Sequence, residues 1–451
     1  MTQMTQLRQM GLFDARVPRY TSYPTAPQFS DAVGPETCAD WLRAVPAGDT
    51  ISLYVHIPFC RRLCWFCACR TQGTSTLSPV AAYVETLKAE LAQIAAHLPG
   101  GVRIGHLHWG GGTPTLLSPD LIADLAAAIR VAAPLAPGAQ FSVEIDPNEI
   151  DDARLDALAA AGMTRASLGI QDFDPLIQET IGRPQSYAVT RAAVQGLRVR
   201  GIDSLNADIL YGLPHQTGAR IADSVQKLLS LTPDRVALFG YAHVPWMAKR
   251  QSLIPTDALP SPEQRLDLFN TARDLFVWDG YAEIGIDHFA RPGDGLALAQ
   301  RAGRMRRNFQ GYTADTATTL IGVGASAISR YPQGYAQNHA ATSGYQRRVR
   351  AGGLATVRGH GFSAQDRLRG RIIERLLCDF SADLAAVARE TGHPPETAAA
   401  LAQGLDLAFP GVVTVAGGCV QILPAGRPLA RMIARHFDAY QAPASGHSHA
   451  V

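Results

Sequence analysis

Residues 60 to 69, Cys-Arg-Arg-Leu-Cys-Trp-Phe-Cys-Ala-Cys, hold four of the chain's seven cysteines. Cys60, Cys64 and Cys67 are spaced C-x3-C-x2-C, and a short loop with that spacing can set three thiolates on three corners of a cubane [4Fe–4S] cluster. A ferredoxin-type cluster takes a fourth cysteine on its fourth iron. Three ligands leave one iron open for a second molecule to chelate. An open iron on a loop that follows a strand is what reductive cleavage of S-adenosylmethionine requires, so the spacing points to radical chemistry. Zinc is the rival reading, because closely spaced thiolates also build structural four-cysteine sites. A zinc ribbon pairs two separated C-x2-C knuckles, and no second knuckle follows here. Cys38, Cys378 and Cys419 stand alone and read as buried small hydrophobes or surface positions.

Other polar residues fall at the ends of apolar runs. Gly110-Gly111-Gly112-Thr113-Pro114-Thr115 follows such a run. Its glycines would let backbone approach the amino-acid end of S-adenosylmethionine closely, or would merely make a tight turn. Glu144 and Asp146 are two apart on one strand and share a face, where one could bind a ribose diol or an amino group, or the two could form structural ion pairs. Gln171 and Asp208 also end strands. Arg183 is a candidate fork for a carboxylate or phosphate, or a plain surface arginine. His56 and His288 read as structural histidines rather than bases. Arg301, Arg304, Arg306 and Arg307 crowd one short stretch, which is either a solvated face or a supply of cations for a substrate with several carboxylates.

The elements that must position these residues alternate. Ile51–Ile57, Arg103–Trp109, Gln140–Ile145, Arg165–Ile170, Ser204–Leu210 and Val236–Tyr241 read as strands, with helical patterns over Ala81–Ala96, Leu121–Ala132 and Tyr187–Arg200. This alternation predicts a parallel sheet with right-handed crossovers. Six units predict an incomplete (β/α)6 barrel, whose carboxyl strand edge carries the chemistry. From about residue 360 the pattern changes to helices Arg367–Phe380 and Pro395–Leu407. Strands Val412–Val415 and Val420–Leu423 and a helical segment Leu429–Tyr440 follow, as in a small winged-helix-like domain. The expected organisation is an N-terminal extension (1–50), the barrel with its C-terminal extension (51–355), the helical domain (356–440) and a disordered tail (441–451).

Composition narrows the class. Hydrophobic residues make up 47% of 451, and the formal net charge is +2. That balance supports a sizeable core and argues against non-specific nucleic-acid binding. No uninterrupted apolar run is long enough to span a bilayer. Met1–Gln9 is polar and lacks the apolar core of a secretion signal, and seven cysteines cannot all pair, so a reducing cytoplasmic setting is expected.

Taken in order, Arg19-Tyr20-Thr21-Ser22-Tyr23-Pro24-Thr25-Ala26, Tyr54-Val55-His56-Ile57-Pro58-Phe59-Cys60 and His108-Trp109-Gly110-Gly111-Gly112-Thr113-Pro114-Thr115 resemble the oxygen-independent coproporphyrinogen III oxidase family of radical S-adenosylmethionine enzymes. The resemblance continues through Gly169-Ile170-Gln171-Asp172-Phe173, Asp208-Ile209-Leu210-Tyr211-Gly212-Leu213-Pro214 and Asp287-His288-Phe289-Ala290-Arg291-Pro292. Arg307-Asn308-Phe309-Gln310-Gly311-Tyr312 and Tyr335-Ala336-Gln337-Asn338 complete it, so it spans about residues 17 to 440. A haem-chaperone-like branch shares the core motifs, but lacks both the counterpart of Cys69 and the 19–26 segment.

The resemblance implies a [4Fe–4S] cluster on Cys60, Cys64 and Cys67, with S-adenosylmethionine along Tyr54, Gly111, Glu144 and Ile328. It places Phe66, Gly112, Thr113, Gln171, Arg183, Asp208 and Ala242 beside a second molecule, and makes Cys69 a candidate catalytic residue. It implies oxidative decarboxylation of two propionates of coproporphyrinogen III to vinyl groups, giving protoporphyrinogen IX. The partners implied are that substrate and an electron donor such as flavodoxin or ferredoxin, for a monomer with no nucleic acid and no membrane insertion. Arg301–Arg307, with Arg291, are the expected propionate anchors. Two departures flank the expected pocket: Gly240 where the family commonly has Asn, and Trp246 where smaller residues are usual.

Overall fold

The computed structural model describes residues 3–440 and Ala450. Six parallel strands, β1 (Thr50–Ile57), β2 (Arg103–Gly111), β3 (Leu135–Ile145), β4 (Arg165–Gln171), β5 (Ser204–Tyr211) and β6 (Arg235–Gly240), lie side by side in chain order. Crossover helices include α1 (Ser78–His97), α2 (Pro119–Ala132), α3 (Asp152–Ala160), α4 (Tyr187–Arg198) and α5 (Gly218–Leu229). Their starts are written in the sequence. The side chains of Ser118, Asp151, Ser186 and Thr217 each accept from a first-turn amide, supplying the partner that a helix start lacks.

The barrel does not close. On one side β6 pairs antiparallel with β8 (His288–Ala290), which pairs with β7 (Ala282–Ile284). On the other, β1 pairs parallel with β9 (Leu320–Val323), and β10 (Ile328–Tyr331), β11 (Gly334–Asn338) and β12 (Thr356–Gly361) extend the sheet antiparallel. The expected incomplete barrel is thus present, and its sheet runs six residues past 355. Alternation of side chains along each strand sorts them by face. Val55, Trp109, Val143, Leu168 and Ile209 go into one large apolar core with the helices. The alternate positions meet in register as Tyr54–His108–Ser142, Glu144–Ser167–Asn206 and Gly169–Asp208–Ala237, forming a polar lumen.

The chain ends share a second core. Leu7, Leu12, Phe13, Val17, Tyr20 and Tyr23 pack with Leu368, Ile372 and Leu376 of α7 (Ala364–Asp379) and with Ile433 and Phe437. The N-terminal segment also joins the barrel, through a bridge between Ser30 and Gly359 in β12. The helix expected over Pro395–Leu407 is two, Pro395–Leu401 and Leu405–Ala408, broken at Gly404 with φ +76°. The hairpin Val413–Ala416 and Cys419–Ile422 gains a third strand, Ser381–Asp383. Of the tail expected to be disordered, only Ala450 lies among the described residues, and its amide donates to the Ala15 carbonyl.

Candidate active site at the carboxyl edge

The cysteine loop leaves β1 at Ile57 and is stitched to the end of β2. The Gly112 amide donates to the Ile57 carbonyl at 2.9 Å, and the Thr113 amide to the Phe59 carbonyl at 2.7 Å. A Cβ on Gly112 would stand 2.6 Å from the Phe59 oxygen and 2.8 Å from that of Ile57. Gly111, at φ +105°, carries its missing side chain over the His56 ring. The glycine run thus lets two strand ends meet, while the Gly111 amide stays directed at Glu144 Oε2, 3.0 Å away.

Glu144 also receives His108 Nε2 at 3.2 Å. Burial alone would push its carboxyl up, but the His108 contact and the Gly111 amide carry it below its ordinary value. Across the lumen Asp208 accepts from Asn206 and Ser167, and burial followed by the Glu144 charge pushes it up to about 6. The lumen therefore holds one firmly anionic carboxylate and one protonated more readily. Asp146, in contrast, caps the turn at Asn148 and pairs with Arg183 at 3.3 Å, which is the structural ion-pair role.

Arg183 is no free fork. Its Nη2 donates to the Gly169 carbonyl at 2.9 Å and its Nη1 to Cys64 Sγ at 3.4 Å, so it ties the cysteine loop to the ends of β3 and β4. Gln171 ends β4 at φ +72°, a conformation rare outside glycine and found where side chains are aimed at a site. Phe66 packs beside Ile177, Leu213 and Tyr241. Ala242 is held through Gln251, whose amide donates to the carbonyls of Ala242 and Phe66 at 3.0 and 2.7 Å. Gln251 was not legible in the sequence. Tyr54 stacks on His108 and bonds His56 Nδ1 at 3.0 Å. Its strand neighbour in register is Gly322, against whose Cα Ile328 backbone packs. His56 also bridges to the Arg70 carbonyl, as a structural histidine would.

The donor set fits an iron–sulfur cluster. All seven cysteines are free thiols, and four stand on one loop at the strand edge. Burial pushes the Cys60 and Cys64 thiols up, and hydrogen bonds from Thr113 and Arg183 respectively oppose it. The Cys69 side chain donates to Cys67, which draws the Cys67 thiol down and pushes that of Cys69 up. Cys60, Cys64 and Cys67 thus each have a donor for sulfur-borne negative charge. Arg183 Nε is buried without a hydrogen-bond partner among the described residues.

Beyond β6 a cavity of about 1190 Å³ opens against Phe239–His243, with walls from the N-terminal segment (Arg19), α6 (Pro262–Trp278; Arg265), Asp287–Phe289, Arg307 and the C-terminal domain (Arg431). The Gly240 departure leaves the close approach of Tyr211 that a Cβ would obstruct, and Trp246 lines the wall with Arg16 over its ring.

Comparison with known proteins fixes the kinship. Residues 54–228 match the Radical SAM superfamily. Over 451 residues the chain is 61% identical to the oxygen-independent coproporphyrinogen III oxidase of Paracoccus denitrificans, covering all of both chains. It is 59% identical to that of Cereibacter sphaeroides over 98% of each. The chain belongs to the oxygen-independent coproporphyrinogen III oxidase family. Its fold follows the solved coproporphyrinogen III oxidase of Escherichia coli, described as a radical SAM enzyme, with TM-score 0.90 and 38% identity over 94% of this chain and 98% of that one. The cofactors of this radical SAM oxidase family member are therefore a [4Fe–4S] cluster and S-adenosylmethionine, and zinc is set aside.

One expectation is corrected by the cavity. Of Arg291, Arg301, Arg304, Arg306 and Arg307, only Arg307 lines it. Arg306 and Arg307 are successive on the short strand Arg306–Asn308, so they face opposite ways; Arg306 turns to Glu374 on α7 at 3.0 Å. Arg301 bonds the Pro292 carbonyl from an exposed position, Arg304 is exposed, and Arg291 lies over Tyr281. His288 also proves to be a wall residue, its Nδ1 2.7 Å from Asp287.

Proposed function

We propose that this protein oxidatively decarboxylates coproporphyrinogen III to protoporphyrinogen IX without oxygen. The observation that carries the reading is full-length 61% identity to an oxidase of that name, combined with a C-x3-C-x2-C loop set against Gly110–Gly112 at the strand edge. A cluster held on Cys60, Cys64 and Cys67 would supply the one-electron reduction that S-adenosylmethionine chemistry requires.

The chain's own residues bind, orient and exclude water. In this reading Cys60, Cys64 and Cys67 hold the cluster. Tyr54, the Gly111 amide edge, Glu144 and Ile328 line the S-adenosylmethionine site, where anionic Glu144 suits a ribose diol or an ammonium group. Phe66, Gly112, Thr113, Gln171, Arg183, Asp208 and Ala242 surround the neighbouring space, with Arg183 acting through Cys64. Cys69, held beside Cys67, acts at the reacting centre rather than as a ligand. The substrate occupies the 1190 Å³ cavity next to Ala242.

A low-potential one-electron carrier such as flavodoxin or ferredoxin serves as donor, and the chain works as a cytoplasmic monomer. The free state of all seven cysteines supports a reducing compartment. Among the described residues, no helix is long and apolar enough to cross a membrane. Anaerobic turnover tests the reading: coproporphyrinogen III and S-adenosylmethionine should yield vinyl-bearing product together with 5′-deoxyadenosine. Haem binding without decarboxylation would refute it.

A further inference from the structure

The chain leaves β9 at Val323 and enters β10 at Ile328, and the turn between them is held by all four of its amides. Ala327 donates to the Gly324 carbonyl at 3.3 Å and Ser326 to the His339 carbonyl at 3.0 Å. The other two reach side chains of α1: Gly324 donates to Glu90 Oε2 and Ala325 to the Tyr83 hydroxyl, each at 2.8 Å. A buried amide left unpaired is costly, so Glu90 and Tyr83 complete the turn. Its carbonyls are held as closely. Asn338 Nδ2 donates to Gly324 at 3.0 Å, the Asn338 amide to Ala327 at 2.9 Å and Gln337 Nε2 to Ser326 at 3.0 Å. Ser326, at φ +62°, keeps a conformation that survives in a non-glycine residue only where its surroundings over-determine it.

Glu90 is the unexpected member. It lies on the core-facing side of α1, two turns after Tyr83 and among Leu87, Leu91 and Ile94, and it is 2% exposed. Among the described residues no cation pairs with it. Its oxygens accept instead from the Gly324 amide, from Asn338 Nδ2 at 2.6 Å and from the Tyr345 hydroxyl at 2.6 Å. Burial pushes its carboxyl up to about 7, and those three donors oppose the rise. A buried carboxylate without a counter-ion is a poor means of stabilising a fold, and an apolar side chain would fill the same space.

The turn it holds abuts the site. A Cβ on Gly324, at φ +106°, would stand 2.6 Å from the His56 carbonyl oxygen and 2.7 Å from the Tyr83 hydroxyl. That hydroxyl donates to the same carbonyl at 2.9 Å, at the end of β1. The Tyr83 ring meets Phe59 edge to face at 5.3 Å, one residue before Cys60.

We propose that Glu90 is a positioning residue for S-adenosylmethionine binding: with Asn338 it fixes the Gly324–Ala327 turn, and so the Ile328 wall of the site, against the end of β1. Resting on the reading that Ile328 lines that site, this gives the Tyr335–Asn338 segment a role. Glu90 acts through the Gly324 amide, and Asn338 through the Gly324 carbonyl.

Calorimetric titration of S-adenosylmethionine into anaerobic holoenzyme with its cluster oxidised reads affinity without turnover. Glu90→Gln keeps the side-chain shape. Both oxygens of Glu90 accept from obligate N–H donors, however, so the new amide nitrogen faces a donor whichever way it turns. Binding should weaken about ten-fold, the scale of one unsatisfied buried donor. Iron content and affinity for coproporphyrin III, the stable oxidised macrocycle, should stay at the parent's values. Tyr345→Phe removes one donor but leaves both anchors of the turn, so its affinity should stay within about two-fold. Asn338→Ala frees the Gly324 carbonyl and should weaken binding in the same direction; it decides the matter if Glu90→Gln does not fold. Leu376→Ala, in the core shared by the chain ends, should lower the melting temperature and leave affinity unchanged. Parental affinity in folded Glu90→Gln, or in Asn338→Ala where the first variant does not fold, would overturn the proposal. So would an equal loss of affinity in Leu376→Ala, because the network would then serve stability alone. Turnover of coproporphyrinogen by the parent is assayed separately. If it is absent while Glu90-dependent S-adenosylmethionine binding holds, the oxidase reading fails and the positioning role stands.

Discussion

Arg183 and Cys64, 119 residues apart in sequence, meet with Nη1 3.4 Å from Sγ. The same guanidinium holds the Gly169 carbonyl and pairs with Asp146. It is therefore a clasp between the cysteine loop and two strand ends, and it places positive charge on the sulfur of Cys64, a proposed cluster ligand. Hydrogen bonds to ligand sulfurs stabilise the more negative, reduced state of an iron–sulfur cluster. Arg183→Gln should therefore lower the cluster's midpoint potential by roughly 65–130 mV, since a charge-assisted hydrogen bond is worth about 1.5–3 kcal/mol and about 59 mV is tenfold for one electron. Potentiometric titration followed by electron paramagnetic resonance reads this, and an unshifted potential would remove Arg183 from the cluster's surroundings.

The four cysteines of the loop should separate by role. Anaerobically purified protein should be brown and carry about four irons per chain, as one cubane requires. Cys60→Ala, Cys64→Ala and Cys67→Ala should each abolish the cluster spectrum. Cys69 is exposed, and its amide lies 3.4 Å from Cys67 Sγ, too near that sulfur to cap a separate iron with ease. Cys69→Ser should keep the iron and lose product formation. Iron loss in that variant would instead make Cys69 a ligand.

Much of this architecture was legible because it rests on local periodicity. The six parallel strands begin and end within a few residues of the expected positions, except β3, which starts at Leu135 rather than Gln140. The Leu135–Gln140 stretch carries Pro137 and Gly138, which obscure any strand pattern. Helix α3 carries a weak signal because it is short and Ala-rich, while α5 opens on Gly218 but keeps its apolar face at Ile221, Val225 and Leu228. What the sequence could not show was distance across the fold. Gln251, Arg265 and Arg431 lie in unremarked stretches, and only tertiary packing brings them to the carboxyl edge. Arg307 was found through its neighbours, yet strand alternation sends Arg306 the other way. The cysteine spacing, by contrast, is local geometry, and it was readable outright.

Stability should depend on pH through Asp208. Its carboxyl is pushed up to about 6, by burial first and then by the charge of Glu144, whereas an unfolded aspartate titrates near about 3.9. Between those values the folded chain binds more protons than the unfolded one. The contribution of this group to stability therefore falls as pH rises through about 4 to 6. Asp208→Asn removes the buried charge and should melt higher than the parent at pH 7 to 8, with the gap closing towards about pH 4. Thermal melts across that range decide it: a gap independent of pH would mean that Asp208 titrates as an ordinary aspartate.

Gly112 offers the sharpest steric test of the strand-edge junction. A methyl group there would meet the Phe59 carbonyl oxygen at 2.6 Å, the Ile57 carbonyl oxygen at 2.8 Å and the Phe59 amide nitrogen at 2.9 Å. All three are backbone atoms, so no side chain can swing aside. Both carbonyls also accept the Gly112 and Thr113 amides, and moving them would break the bonds that dock the cysteine loop on β2. Gly112→Ala should therefore cost about 1–3 kcal/mol, the usual range for overpacking, and should weaken iron retention because Cys60 directly follows Phe59. Gly138→Ala is the control: it has open space around its Cβ position but a φ of +73°, so it tests backbone strain without a clash. Chemical denaturation and iron analysis of both variants separate the effects. If Gly112→Ala keeps its full iron content and is no less stable than Gly138→Ala, the junction yields more readily than its geometry implies.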